Sequence, residues 1–214
     1  MKKILTLVLI ILSSHAFAQD SLKKYNASRI GITSSGMEVL GGWGIANLGT
    51  GAIWGWNTGA TATVNVGGNV VYSTSYLTSQ QTKYFFQMNT IWGAVNFGTA
   101  LISFESFQKD KKKHLTAAET LKEQERIEKI FRINEGLDVA YLGVGIYLKL
   151  VGDHRNSPIM KGYGESIIMQ GAFLLVFDGI MYHNEKGNGG KLRHFLEKHP
   201  MTFNGKQVGM IFNM

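Results

Sequence analysis

The chain has 214 residues, enough for a domain with a real core, with 22 Lys and Arg against 15 Asp and Glu and no cysteine. Disulfides, thiolate nucleophiles and Cys-ligated zinc or iron–sulfur centres are therefore excluded. Charged residues make up only 17% and Gly occurs 26 times, which fits close-packed membrane helices better than a soluble enzyme. A mean hydropathy of −0.02 keeps a soluble helical domain open.

Residues 1–18 read as a secretory signal peptide. Lys2 and Lys3 form the charged start, Ile4 to Leu12 the apolar run, and Ala16-Phe17-Ala18 a small-x-small site with cleavage after Ala18. Residues 39–82 then contain no charged side chain. Their first part, about 39–56, predicts a membrane-spanning helix. The remainder, 57–82, is a polar insert whose small and β-branched residues flank Gly67-Gly68, the pattern of a hairpin or a loose loop.

A second span is expected over 84–104, bracketed by Lys83 and Glu105 with aromatics at its ends. The segment 115–132 predicts a charged helix. Thr116 and Glu119 have the spacing of a capping box, and Glu125–Lys129 and Glu128–Arg132 are favourable i,i+4 pairs. This helix runs on into a third span at 133–150, and a fourth follows at 166–183. Residues 184–214 read as a basic tail, in which 191–199 suits a short amphipathic helix ended by Pro200 and Asn204-Gly205 suits a turn. The resulting fold class is all-α: a four-helix transmembrane bundle of residues 19–183 after a cleaved signal peptide.

The first two spans repeat one sentence. "WGIANLGTGAI" at 43–53 and "WGAVNFGTALI" at 92–102 share Trp, Gly, Asn, Gly, Thr and Ile at equivalent positions. On a helix, Asn89, Gly93, Asn96, Ala100 and Ser103 share one face, and Gly44, Asn47, Gly51 and Gly55 trace the matching stripe. Small residues admit close backbone approach and amides bond across, so this internal repeat reads as helix–helix glue, with Asn47 and Asn96 expected to bond to each other. Glu38, Gln87, Glu135 and Glu165 each fall near the expected start of a span, where the helix dipole favours negative charge. Asp138 and Asp178 lie inside spans, where acids face the bundle or water and are the functional residues by default. The candidate polar residues are thus Glu38, Asn47, Asn89, Asn96, Glu135, Asp138, Glu165 and Asp178.

The segments "GMEVLGGWGIANLGTG", "KYFFQMNTIWGAVN", "INEGLDVAYLGVGIYL" and "GYGESIIMQGAFLLVFDGIMY" resemble a family of uncharacterised four-helix membrane proteins from Bacteroidota. The resemblance covers most of residues 25–183. It implies the fold and carries no activity.

No Gly-rich phosphate fingerprint sits at a strand–helix junction and no Ser occupies a nucleophile elbow. The histidines form no i,i+4 pair within a span, so neither a metal nor a cofactor is expected. Nucleic acid is excluded as a partner for an exported chain. The expected partners are the lipid bilayer, whose anionic headgroups match the basic loops, and a membrane protein or a second copy of the chain. The expected location is the cytoplasmic (inner) membrane. A cleaved signal places the N-terminus outside, while the Lys and Arg cluster on that same side against the positive-inside rule.

The residues thus point first to a non-catalytic assembly or binding component of the cell envelope. The alternatives are a small transporter or proton-coupled channel lined by Asn47, Asn96, Asp138 and Asp178, and a soluble periplasmic helical domain. An intramembrane enzyme using Glu135 and Asp138 as acid and base is more remote.

Overall fold

A computed structural model describes the backbone of residues 2–56, 61–66, 69–74, 79–199, 201–203 and 208–210, and the side chains of residues 19–56 and 79–199. Four long helices carry the architecture: α1 (Lys2–Gly55), α2 (Gln80–Asp110), α3 (Ala117–His154) and α4 (Pro158–Lys198). Between α1 and α2, strands β1 (Thr61–Val66) and β2 (Asn69–Thr74) pair antiparallel, in a register that sets Val66 against Asn69 on either side of 67–68. Beyond α4, β3 (Met201–Phe203) pairs antiparallel with β4 (Val208–Met210). The turn expected at Asn204-Gly205 lies outside the described residues.

The helices run until the sequence supplies a stop. Both prolines stand at helix boundaries, Pro158 at the first position of α4 and Pro200 just past its end, where a missing N–H costs least. Ser79 caps α2 through its hydroxyl and the Thr82 N–H at 3.1 Å. The Thr116–Glu119 capping box forms: Glu119 accepts from the Thr116 N–H and hydroxyl at 2.8 Å each, and the Glu119 N–H donates to the Thr116 hydroxyl. These bonds to Thr116 hold the Glu119 carboxyl below its usual range. At the end of α3, Asn156 takes the left-handed conformation, φ 49°. The Ser157 N–H then reaches back to the Gly152 carbonyl at 2.9 Å, closing a Schellman motif.

Three expectations need correction. The helices are longer than the apolar segments within them: α1 includes the backbone of the expected signal peptide, whose side chains lie outside the described residues. Consequently Glu38 and Glu135 sit in mid-helix, and Gln87 and Glu165 well past the first turn, so none of them is a helix-start residue. The third correction concerns 184–198, read as tail but continuing α4. Gly187, Gly189 and Gly190 cost roughly 1 kcal/mol each in helix propensity. Burial offsets that cost, because Leu192 and Leu196 pack with Leu22 and Ala117 in an apolar core.

The described chain falls into two compact units, and every helix contributes residues to each. The first comprises 1–36, 104–133 and 178–214, the second 37–103 and 134–177. The first unit has the apolar core just named, flanked by Tyr25, Leu121 and Phe195. Glu128, expected to pair with Arg132 along its own helix, is held instead by Arg193 of α4 at 3.3 Å.

The second unit is organised around glycine. A Cβ on Gly44 of α1 would fall 2.9 Å from the Gly93 carbonyl of α2, and one on Gly93 would fall 2.8 Å from that of Gly44. The helix α3 meets α4 in the same way, with Gly145 and Gly164 each facing the other's carbonyl inside 3 Å. Side chains that close are excluded, and the two backbones touch. Against this interior, large apolar residues such as Ile45, Val95, Leu101, Val144, Ile146 and Val176 face outward and are at least half exposed or nearly so. Of all the large exposed apolar side chains described, only Ile130, Ile133 and Ile180 belong to the first unit. Among the described residues one helix, α4, is long and apolar enough by length and composition to cross a bilayer core. In α1 and α2 the repeated Gly, Asn and Thr lower the hydropathy, and in α3 the apolar run is broken by Glu135, Asp138, Lys149 and Asp153.

Candidate functional site

Two buried polar clusters stand out, one per unit. In the second unit, Gln170 of α4 is fully buried and joins residues of α1 and α2. Its Oε1 accepts from Trp43 Nε1 at 2.8 Å and Asn96 Nδ2 at 3.5 Å. Its Nε2 donates to Asn47 Oδ1 at 2.8 Å and Asn89 Oδ1 at 3.3 Å. Asn89 also accepts from the Ser166 hydroxyl. Asn47 turns its own N–H toward the Trp43 carbonyl at 2.8 Å. The indole of Trp43 stacks on Phe173, centroids 4.2 Å apart, so its ring is fixed on both its face and its N–H.

This arrangement revises the repeat. Asn47 and Asn96 are both buried, as expected of glue residues, but they meet on Gln170 rather than on each other. An amide with two donors and two acceptor lone pairs can bridge both copies of the repeated sentence at once. Sequence reading missed Gln170, Ser166 and Trp43 as members. The available signal was a lone Gln in the apolar run "SIIMQGAFLL".

The other second-unit candidates spread out. Asp138 of α3 is only 2% exposed, with Gly171 of α4 passing close to its backbone carbonyl. Glu165 is half-buried and accepts from Gln81 at 2.9 Å while lying 3.4 Å from Lys149. Glu135 is partly buried and Glu38 is exposed.

The cluster of the first unit centres on Glu185, which is 0% exposed. Thr33 of α1 donates its hydroxyl to Glu185 Oε1 at 2.8 Å, and Gln124 of α3 donates to Oε2 at 3.0 Å and to the Glu185 carbonyl at 2.8 Å. Asn188 completes the set by donating to Gln124 Oε1 at 2.8 Å. Burial pushes the Glu185 carboxyl above its usual range, against the opposing pull of the Thr33 and Gln124 bonds and of the Arg29 charge. Asp178 of α4, 4% exposed, belongs to this unit. Glu185, Gln124 and Arg29 were not among the sequence candidates: they fall outside the apolar segments, where a polar residue reads as surface.

The chemistry available is hydrogen bonding and proton exchange. Among the described residues no group of three or more His, Asp or Glu side chains is placed to hold a metal ion.

Neither a curated protein nor a solved structure matches the chain. A family model described as a family of unknown function (DUF6992) matches residues 39–179. That match takes in both copies of the repeated sentence, Gln170 and both buried aspartates, and the chain belongs to this family.

Proposed function

We propose that the chain is an integral membrane protein that serves as a non-catalytic assembly or binding component, its second unit lying in the bilayer. One observation carries this reading: the second unit buries Asn47, Asn89, Asn96, Asp138 and Gln170 while exposing Ile45, Val95, Val144 and Val176. That polarity suits a lipid solvent, in which outward apolar side chains cost nothing and polar groups must find partners inside. Washing membranes with alkaline carbonate tests it. The protein should stay in the pellet and leave only with detergent. Release by carbonate or high salt would instead establish a soluble or peripheral helical domain.

A second reading, a small proton-coupled transporter or channel, is favoured by the near-complete burial of two aspartates, one in each unit. In reconstituted vesicles, Asp138→Asn and Asp178→Asn together should abolish any proton flux of the wild-type chain. An unchanged flux from a folded double variant removes this reading.

A further inference from the structure

A groove of about 740 Å³ opens in the first unit, a volume in the range of small-molecule sites. One wall is a face of α1 and the other is the connection from Asp110 to Ala117 between α2 and α3. Leu22, Ile30 and Ala117 are buried and give it an apolar floor. Lys23, Lys111, Lys113 and His114 stand around it. Asp110, the only acid among the lining residues, pairs with Lys113 at 2.7 Å, and Asp20 beside the groove lies 3.8 Å from Lys23; with Lys111 added, the surplus charge is positive. Asn26 also lines the groove: it donates to Thr120 at 2.9 Å, while its Oδ1 is buried with no hydrogen-bond partner among the described residues. Being without accessible surface, that oxygen takes no part in the groove's chemistry. The apolar floor and the cationic rim together describe one kind of ligand, an apolar chain that ends in an anion.

We propose that this groove binds a phospholipid with an anionic headgroup. The phosphate sits among Lys23, Lys111 and His114, and the first acyl methylenes lie on Leu22 and Ile30. The idea stands apart from membrane insertion, because a peripheral protein could use the same groove.

The test uses the full chain with short-chain lipids, by native mass spectrometry and titration calorimetry. Dioctanoyl-phosphatidylglycerol should bind at least tenfold tighter than dioctanoyl-phosphatidylcholine, and glycerol phosphate alone should not compete. Gly31 lines the groove, and a Cβ built on it meets nothing within 4 Å. Gly31→Leu should therefore fill the groove and weaken phosphatidylglycerol binding at least tenfold at an unchanged melting temperature. Ala27→Leu, on the same exposed stripe, should do the same should Gly31→Leu misfold. Lys23→Gln with Lys111→Gln should reduce the preference for the anionic lipid at least fivefold. Equal binding of the two lipids, full competition by glycerol phosphate, or indifference to both groove-filling variants would each overturn the proposal. Since these readouts involve no membrane fraction, their failure is distinguishable from carbonate release.

Discussion

The Thr33 hydroxyl has one proton and two acceptors within reach, the Arg29 carbonyl at 3.0 Å and Glu185 Oε1 at 2.8 Å. Both contacts are satisfied together when Glu185 brings a proton of its own, in agreement with burial raising its carboxyl. The raised folded value makes the native state the stronger proton binder. Its stability is then fullest below the unfolded carboxyl range near 4.5 and declines as pH rises through the folded value. Glu185→Gln reproduces the protonated carboxyl, with its N–H toward Thr33 and its oxygen toward Gln124. That variant should lose this pH dependence and be at least as stable as wild type at pH 8, measured by thermal melts at pH 4 and pH 8. Glu185→Ala removes the carboxyl that Thr33 and Gln124 bond and should cost roughly 1–3 kcal/mol. The second unit offers a parallel contrast. Gln170→Leu removes the shared partner of Trp43, Asn47 and Asn89, whereas Asn96→Leu removes one 3.5 Å contact. Gln170→Leu should lower the melting temperature clearly more than Asn96→Leu, a loss on the order of 0.6 kcal/mol.

At the scale of elements, glycine has two separate uses that a substitution series can tell apart. At Gly44, Gly93, Gly145 and Gly164 the neighbouring backbone leaves no room for a side chain. Gly93→Leu should therefore cost at least the 1–3 kcal/mol of overpacking, by separating α1 from α2. Gly49, Gly98 and Gly143 meet nothing within 4 Å. Gly98→Ala and Gly143→Ala should leave the melting temperature unchanged or raise it, by up to about 1 kcal/mol of helix propensity each. A loss at these open sites comparable to that at Gly93 would mean that something unseen packs against them.

Across the whole molecule, both units bury amides and acids, and they differ in what they turn outward. Around Glu185 and its Leu22, Leu192 and Leu196 core, the first turns its lysines outward, as a protein in water does. The second hides amides and turns Val, Ile and Leu outward. If its surroundings are lipid, a cation on an outward position near the middle of an apolar segment costs about 2.5–3.5 kcal/mol on insertion. Val95→Lys and Val144→Lys should then reduce the fraction of protein recovered in carbonate-resistant membranes. In a soluble protein the same changes would raise solubility and leave the fold intact.

Local rules written in the sequence determined a good deal. The Thr116–Glu119 cap, the helix end at Pro200, the strands flanking Gly67-Gly68 and the glycine–asparagine stripe of the repeat each depend on neighbours a few residues apart, and a linear reading reaches them. Tertiary structure decided the rest. Whether α4 stops at 183 or runs to Lys198 was settled by Leu192 and Leu196 finding Leu22 and Ala117, more than 70 residues away in sequence. The partner of the two repeated asparagines was settled the same way, by α4 carrying Gln170 between them. Hydrogen bonds and burial depend on distance in space, and a buried Gln or Glu looks like any surface residue until the helix that covers it is in place.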